Sequence, residues 1–483
     1  MRRFPLPWPS FEGKGIVDVK LLEQPAPVGT RFEAYGPSKL DEILKRFPVP
    51  EGLAETIRLF SLVLPFRVNE YVLTELIDWA NVPADPIFQL VFPQDGMLTK
   101  EDEHDLARAA TGSGRRAELP AVVRRIRQRL NPHPSGQLEL NVPTLGGDEL
   151  GGLQHKYRHT VLYFPQQGQT CHTYCTYCFR WAQFVGEKDL RFAVKEADRL
   201  VEYLRAHPEV TDVLVTGGDP MVMSAERLRV HLEPLLAIPT VRTIRIGTKS
   251  VAYWPQRFVT DADADAVLRL YEDVVASGRT LSVMAHYSHE RELATDVAGQ
   301  AVKRILATGA RMYCQSPLIA HVNDDADALA GLWSTELALG AVPYYMFVAR
   351  DTGPHDYFKV PLARAQELFS GAYGQLPGLA RTIRGPVMSA TPGKVVVDGT
   401  VELGGQRLFQ LRFLQARRPG LTGRPFFARY TPDAAWLDEL ELLPDTPPDI
   451  AEAVRSQHLV GGGSPRAVPG DLELLPATPG GAR

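Results

Sequence analysis

The sequence predicts an α/β protein in which strands and helices alternate through the middle of the chain, with a helical unit before them and a small mixed appendage after them. Short β-branched runs alternate with helical stretches such as "ADADAVLRLYEDVVASG". Parallel strands need a crossover, and a helix is the usual one. Ahead of this region, apolar residues recur at intervals of three and four, the period of amphipathic helices. The six predicted strands are "HTVLYF", "DVLVTGG", "TIRIGT", "LSVMAHY", "RMYCQSPL" and "PYYMFVA".

These patterns divide the chain into five segments. Residues 1–40 are proline-rich and irregular, and we interpret them as an extension on a neighbouring unit. A helical domain is predicted over 41–150, where "PTLGGDELGG" supplies glycine punctuation. The alternating region is assigned to 151–400, with chemistry expected at the carboxyl ends of its strands. Residues 401–458 form the appendage, and the glycine- and proline-rich residues 459–483 are predicted to be a flexible tail.

Composition excludes several classes of function. The net charge of −4 offers no polycationic face for nucleic acid and no basic stripe for anionic lipid. The apolar run "LFSLVLPF" is far shorter than the roughly 18 residues that cross a bilayer, and the amino terminus lacks the apolar core of a signal peptide. We therefore expect a cytoplasmic protein without nucleic-acid or membrane partners. Four cysteines in 483 residues do not make a secreted disulfide framework.

Three of the four cysteines lie together in "TCHTYCTYCFR", directly after the first predicted strand. Cys171, Cys175 and Cys178 have the spacing C-x3-C-x2-C, and soft thiolates suit iron–sulfur clusters and zinc alike. A four-iron cube held by three cysteines has one iron open, much as a catalytic zinc keeps one position open. A zinc knuckle that uses His172 or a distant residue stays an alternative, as do unligated thiols. Cys314 is interpreted as a core residue.

The cysteine spacing, with Tyr177 as the aromatic residue before the third cysteine, resembles the signature of radical S-adenosylmethionine enzymes. In that superfamily the open iron binds the amino and carboxylate groups of S-adenosylmethionine, which is then cleaved reductively. The resemblance implies a 4Fe-4S cluster, S-adenosylmethionine and an electron donor such as flavodoxin or ferredoxin. Gly217, Gly218 and Asp219, in "TGGDP" after the second predicted strand, resemble the segment that contacts the amino group of the cofactor.

An ordered series of motifs narrows the resemblance to the lysine 2,3-aminomutase family. The series is "PADPIFQLVFP", "HKYRH", "CFR", "TGGDP", "RIGTK", "AHYSHERE", "CQSPLIAHVND" and "PYYMFVA", from about residue 80 to 400. Members move an α-amino group to the β-carbon, with pyridoxal 5′-phosphate beside the radical cofactor. The family also implies a partial (β/α)6 barrel of the radical S-adenosylmethionine type. It leaves open whether the chain forms a homo-oligomer.

The resemblance implies roles for several residues. Arg180 matches the arginine that pairs the substrate α-carboxylate, a bidentate task suited to a guanidinium. Lys156 and Tyr157 in "HKYRH" match pyridoxal phosphate contacts, although Lys156 stands where an arginine is usual. Gln315 matches a polar group near the pyridoxal. Lys394, in "GPVMSATPGKVVVDG", matches the lysine that forms the Schiff base, which requires an amine that can be deprotonated in a dry pocket.

The substrate end departs from the family pattern. Lysine-specific members hold the side-chain ammonium with two aspartates, and here Arg350 and Ser389 occupy those positions. A guanidinium within about 4 Å of an ammonium costs on the order of 4 kcal/mol at an effective dielectric constant near 20. Free lysine is therefore disfavoured, and a glutamate- or aspartate-like side chain fits better. Asp351 is one residue away and would restore a carboxylate in a slipped register.

The expected activity is a radical S-adenosylmethionine 2,3-aminomutase, an isomerase acting on a small amino acid other than free lysine. One alternative keeps the radical step without pyridoxal phosphate, as a dehydrogenase, an epimerase or a modifier of peptides or proteins. A second alternative is a zinc-stabilised binding module. Trapping an imine at Lys394 distinguishes the first alternative, and the brown colour of an iron–sulfur protein distinguishes the second.

Overall fold

The computed structural model describes residues 32–111, 118–131, 141–185, 192–194 and 197–455. Most of the predicted extension over 1–40 and all of the predicted tail over 459–483 lie outside the described residues. The described part is a mixed α/β fold built on an eleven-stranded sheet.

The strands and helices follow one another along the chain as listed below. The strands are β1 (Ala34–Tyr35), β2 (Val68–Asn69), β3 (Thr144–Leu145), β4 (Asp148–Glu149), β5 (Leu153–Tyr157), β6 (Thr160–Tyr163), β7 (Asp212–Val215), β8 (Thr243–Thr248), β9 (Thr280–His286), β10 (Arg311–Leu318), β11 (Val342–Val348), β12 (Arg384–Ser389), β13 (Gly393–Leu403), β14 (Gln406–Ala416) and β15 (Pro425–Arg429). The helices are α1 (Leu40–Arg46), α2 (Leu53–Phe60), α3 (Pro86–Val91), α4 (Lys100–Thr111), α5 (Leu119–Arg129), α6 (Asp198–Ala206), α7 (Ala225–Leu236), α8 (Ser250–Tyr253), α9 (Ala264–Ala276), α10 (Asp296–Ala307), α11 (Ala326–Ala338), α12 (His355–Phe358), α13 (Leu362–Gln375) and α14 (Pro448–Arg455). Within the described part of the chain, no helix combines the length and the apolar character needed to span a membrane.

The large sheet runs in the order β15-β14-β13-β12-β11-β10-β9-β8-β7-β6-β5. Neighbouring strands from β6 to β12 are parallel, whereas β5 extends one edge and β13 to β15 extend the other in antiparallel fashion. The six predicted strands are confirmed as β6 to β11. The sequence analysis missed β12 as a further parallel strand, because Gly385 and Pro386 at its start favour a loop.

The sheet bends far enough for the edge strand β5 to contact the region of β12 and β13 across the interior. Lys156 on β5 donates a hydrogen bond to the carbonyl of Ala390, just after β12. The ammonium of Lys394 on β13 lies 5.1 Å from the ring centroid of Tyr157 on β5. The bend therefore encloses an interior space. Its assignment as a partial barrel stays a prediction.

One apolar core joins the first helices to the sheet. It contains Leu40 and Phe60 from the amino-terminal helices together with Ile246 of β8 and Trp333 of α11. A second apolar cluster lies under β13 to β15 and α14. The predicted boundary at residue 400 falls inside β13, and the domain boundaries stay predictions.

The amino-terminal segment also holds the loop that carries the three cysteines. The amide of Tyr174 donates to the carbonyl of Arg67 and the amide of Thr176 to the carbonyl of Leu90, each at 2.8 Å. The Thr176 hydroxyl donates to the carbonyl of Gln89 at 2.8 Å. Because the loop has little regular structure of its own, its shape depends on these partners.

Asn69 connects three segments at the base of this loop. Its side chain is fully buried, and its Nδ2 donates to Thr173 Oγ1 at 3.0 Å and to the Tyr253 carbonyl at 2.8 Å. Its Oδ1 accepts from the Val72 amide at 3.1 Å. One amide group therefore ties the amino-terminal segment to the cysteine loop and to α8.

We expect Asn69→Ala to lower the midpoint of thermal unfolding, followed by circular dichroism. The substitution removes the partners of the Tyr253 carbonyl and the Val72 amide, and each buried unpaired group costs about 1–3 kcal/mol. Asn81→Ala is the matched control, because the Asn81 side chain is exposed and such changes alter stability by less than about 0.5 kcal/mol. Equal midpoints for the two variants contradict the prediction.

Candidate active site

Cys171, Cys175 and Cys178 lie on the loop that follows β6, and all three are free and partly exposed. Burial raises the pKa of Cys178 to about 12, and the charge of Cys175 acts in the same direction. Within the described ranges, no three His, Cys, Asp or Glu side chains are arranged to hold a metal ion. The chemistry of the donors, three soft thiols on one loop, fits an iron–sulfur cluster.

Gly217 and Gly218 let the cysteine loop pack directly against the end of β7. A Cβ on Gly218 would lie 2.6 Å from the amide nitrogen and the carbonyl oxygen of Thr170. Gly217 has φ +151, and a Cβ there would lie 2.2 Å from Gln169 Nε2. Both positions thus require glycine for packing, and their predicted contact with S-adenosylmethionine stays a prediction. The buried Gln169 Oε1 beside them has no hydrogen-bond partner, so it fits a ligand with a donor group.

Asp219 uses its carboxylate to join the ends of neighbouring strands. It accepts hydrogen bonds from the Thr248 hydroxyl at 2.7 Å, the Lys249 amide at 2.9 Å and the Ser250 hydroxyl at 3.0 Å. Burial raises the pKa of this carboxyl group, against the opposing effect of these donors. His172 Nδ1 lies 2.7 Å from the Ser250 hydroxyl oxygen, so the cysteine loop is linked to Asp219. These protein contacts engage the carboxylate, and its predicted role toward the cofactor stays a prediction.

Arg180 and Arg350 lie against the same aromatic side chain. Their guanidinium carbons are 5.4 Å and 5.2 Å from the ring centroid of Phe179. Arg350 Nη2 donates to the Ser389 carbonyl at 2.6 Å, so the two positions predicted at the far end of the substrate are in contact. Burial lowers the pKa of Arg180 to about 10, and the charges of Arg350 and Cys178 act on it in opposite directions. The two nearby cations favour an anionic ligand.

The segment that carries Arg350 is fixed to the residue after Arg180. Trp181 Nε1 donates to the Thr352 hydroxyl at 3.1 Å, and this hydroxyl donates to the Leu130 carbonyl at 3.2 Å. The Gly353 amide donates to the same carbonyl at 2.7 Å. The end of α5 therefore sets the position of one arginine relative to the other.

A second group of cations lines the interior between β5 and β13. Lys394 Nζ donates to Gln415 Oε1 at 2.6 Å, and burial lowers its pKa to about 7. Burial lowers the pKa of Lys156 strongly, and the charges of Arg350 and other nearby cations add to this effect. The buried hydroxyl of Tyr157 has no hydrogen-bond partner. A neutral amine, several cations and a free phenol fit the aldehyde and the phosphate of pyridoxal phosphate.

Gln315 lies on β10 opposite His286 of β9. Its Nε2 is 2.7 Å from His286 Nε2. Burial lowers the pKa of His286 to about 3, so this ring is neutral and accepts the hydrogen bond. The predicted pyridoxal contact of Gln315 is not tested by this arrangement.

The sequence analysis missed a buried ion pair between Lys249 and Glu292, whose charged atoms are 2.7 Å apart. It also missed Gln183, whose buried Nε2 has no hydrogen-bond partner and whose Oε1 lies 3.4 Å from Arg180 Nη1. A signal for the ion pair existed, since "RIGTK" and "AHYSHERE" each place a charged residue shortly after an apolar strand.

Comparison with known proteins shows that the chain is similar to L-lysine 2,3-aminomutases. A putative L-lysine 2,3-aminomutase of Aquifex aeolicus is 29% identical over 392 residues, which cover 81% of this chain and 91% of that protein. The L-lysine 2,3-aminomutase of Escherichia coli is 31% identical over 256 residues, which cover 51% of this chain and 68% of that protein. The chain belongs to the lysine 2,3-aminomutase family. The resemblance drawn from the motif series is thereby confirmed.

Other relatives and solved structures match a smaller part of the chain. The match to the L-lysine 2,3-aminomutase of Acetoanaerobium sticklandii, at 29% identity, covers 48% of this chain and 53% of that protein. No family model matches the chain. The crystal structure of Streptococcus suis SuiB bound to precursor peptide SuiA matches with a TM-score of 0.32 and 13% identity, over 45% of this chain and 46% of that chain. A score this low carries no argument about fold or function.

We expect Lys394 to be methylated by formaldehyde and cyanoborohydride with a half-maximum near pH 7 in the folded protein, as read by mass spectrometry of its peptide. Only the neutral amine reacts, and burial lets this lysine lose its proton about three units below the ordinary value near 10.4. The same peptide in urea-unfolded protein is the control and should react with a midpoint near 10.4.

The low pKa of Lys394 also makes the free energy of unfolding depend on pH. Between about pH 7 and 10.4 the unfolded chain holds one proton more than the folded chain at Lys394, so the free energy of unfolding rises with pH, by up to about 1.4 kcal/mol per unit. Lys394→Met should lose this rise. A methylation midpoint near 10 in the folded protein contradicts both expectations.

Proposed function

We propose that the protein is a radical S-adenosylmethionine aminomutase that moves an amino group from Cα to Cβ of an amino acid with an anionic side chain. It would use a 4Fe-4S cluster, S-adenosylmethionine and pyridoxal phosphate, held within a partial (β/α)6 barrel. One observation carries the proposal. Arg180 follows the third cysteine by two positions, and its guanidinium and that of Arg350 both lie against the ring of Phe179, so the thiol-bearing loop carries one carboxylate anchor and contacts a second.

The bound groups supply one-electron chemistry and a π-system next to the migrating nitrogen, and the chain supplies position. Cys171, Cys175 and Cys178 would hold the iron of the cluster as thiolates. Lys394 presents a neutral amine near pH 7, because burial lowers its pKa to about 7. Arg180 binds the α-carboxylate of the substrate in a bidentate manner. Burial of these groups keeps water away from the reacting atoms and strengthens each charge interaction.

The charge of Arg350, where the side chain of the substrate would lie, selects the substrate. Arg350 and Arg180 lie against one ring, so a substrate with a single carboxylate leaves one guanidinium without a substrate carboxylate. A dicarboxylic amino acid pairs both cations, whereas the ammonium of lysine would face Arg350 at a cost on the order of 4 kcal/mol. Arg350 Nη2 donates to the Ser389 carbonyl at 2.6 Å, so the two positions expected at the far end of the substrate lie together.

Several expectations accompany this proposal. We expect a flavodoxin- or ferredoxin-like electron donor and a cytoplasmic enzyme, with the oligomeric state left open. Borohydride should trap pyridoxal phosphate on Lys394. If the protein forms its cluster but no cofactor is trapped there, the protein is instead a radical enzyme that works without pyridoxal phosphate.

Anaerobic reconstitution tests the cluster. We expect a brown protein that holds about four irons and four sulfides per chain, and Cys171→Ser should lose most of this iron. Cys314→Ser is the matched control, since Cys314 is buried on β10 outside the loop and should leave the iron content unchanged. A colourless protein that holds zinc would support the zinc-stabilised binding module and refute the proposal.

A panel of β-deuterated amino acids tests the substrate class. Label should appear in 5′-deoxyadenosine with glutamate or aspartate, and Arg350→Gln should lower kcat/KM about 10- to 100-fold, because a hydrogen bond to a charged group contributes roughly 1.5–3 kcal/mol. Arg381→Gln, at an exposed position, is the control and should leave kcat/KM unchanged. Transfer from lysine alone refutes the anionic class. No transfer from any free amino acid favours a peptide or protein substrate.

A further inference from the structure

A buried ion pair lies beside the cysteine loop. Lys249 directly follows β8, and its Nζ is 2.7 Å from Glu292 Oε1, with side-chain exposures of 12% and 0%. The desolvation cost of a buried pair often exceeds its Coulombic gain, so such a pair is a weak source of stability. Its position next to the loop therefore raises the question of what the charge does there.

Two chains of contacts connect the ammonium with the cysteine loop. Lys249 Nζ lies 3.2 Å from the Ser288 hydroxyl, which is 3.1 Å from the Tyr177 hydroxyl. Lys249 Nζ also lies 4.5 Å from the ring centroid of Tyr253. Cys175 Sγ lies 3.6 Å from the Tyr253 hydroxyl oxygen. The ammonium is thus separated from one thiol by a single aromatic side chain.

The positive member of the pair is the one in contact with the residues that touch the loop. Lys249 Nζ contacts the ring of Tyr253 and the Ser288 hydroxyl, whereas the Glu292 carboxylate is engaged by Lys249 and by the amides of Ser288 and His289. The charge next to the side chains that contact Cys175 and Tyr177 is therefore that of the ammonium.

A cluster becomes more negative when it accepts an electron. A positive charge held close by in a medium of low dielectric constant stabilises that reduced state and raises the reduction potential. Glu292 keeps the ammonium in place through the 2.7 Å contact.

We propose that Lys249, positioned by Glu292, raises the reduction potential of the cluster at the Cys175 corner. This inference rests on the proposed function, since it requires the cluster. It assigns Lys249 as a positioning residue that acts through Tyr253 and Ser288 on the thiol and on Tyr177.

A potentiometric titration of the reconstituted protein tests the inference without S-adenosylmethionine or substrate, with the paramagnetic signal of the reduced cluster as the readout. Lys249→Met should shift the midpoint to a more negative potential, and Glu292→Gln should shift it to a more positive one. Lys249→Arg keeps the charge and should restore the wild-type midpoint. Lys303→Met, at an exposed position on α10, should leave it unchanged.

The iron content and the reduction midpoint of each variant decide whether the inference holds. A Lys249→Met protein with full iron content and an unshifted midpoint overturns the inference. If Lys249→Met retains no iron, Glu292→Gln decides, because an unshifted or more negative midpoint in that variant also overturns it. A wild-type protein that forms no cluster refutes the proposed function instead.

Discussion

The backbone hydrogen bonds between the amino-terminal segment and the cysteine loop determine the rest of the site. A loop without helix or strand partners must pair its buried amides elsewhere, and here Tyr174 and Thr176 pair with the carbonyls of Arg67 and Leu90. The loop in turn sets where the three thiols and Arg180 lie. The amino-terminal helices share one core with the sheet, so they form part of the support of the site.

The interior of the site is rich in cations that have lost much of their water. Burial lowers the pKa of Lys156, Arg180, Arg350 and Lys394, because the charged form of each group loses hydration in the interior. A phosphate and the carboxylates of a substrate would offset the repulsion among these cations. Anionic ligands that bind only the folded state would also stabilise it by mass action.

The sequence predicted features that depend on local patterns. Strands β6 to β11 follow from β-branched runs between helical stretches, and the three cysteines follow from their spacing alone. Strand β12 was missed, because Gly385 and Pro386 have the composition of a loop. The packing role of Gly218 depends on the backbone of Thr170, and the ion pair of Lys249 depends on Glu292, 43 residues later. Such contacts join residues that are far apart in the sequence, so no periodic pattern in the sequence predicts them.

The connections of Asn69 constrain how the protein can be made. Its amide group bonds to partners 104 and 184 positions further along the chain. A ribosome that adds about 5–20 residues per second synthesises Tyr253 roughly 10–40 s after Asn69. The cysteines are made partway through that interval. Until Tyr253 has been made, Asn69 at the base of their loop lacks one of its hydrogen-bond partners. The base of the loop is therefore complete only after the chain has been made through β8 and α8, and under the proposed function iron and sulfide delivered earlier would meet thiols whose support is incomplete.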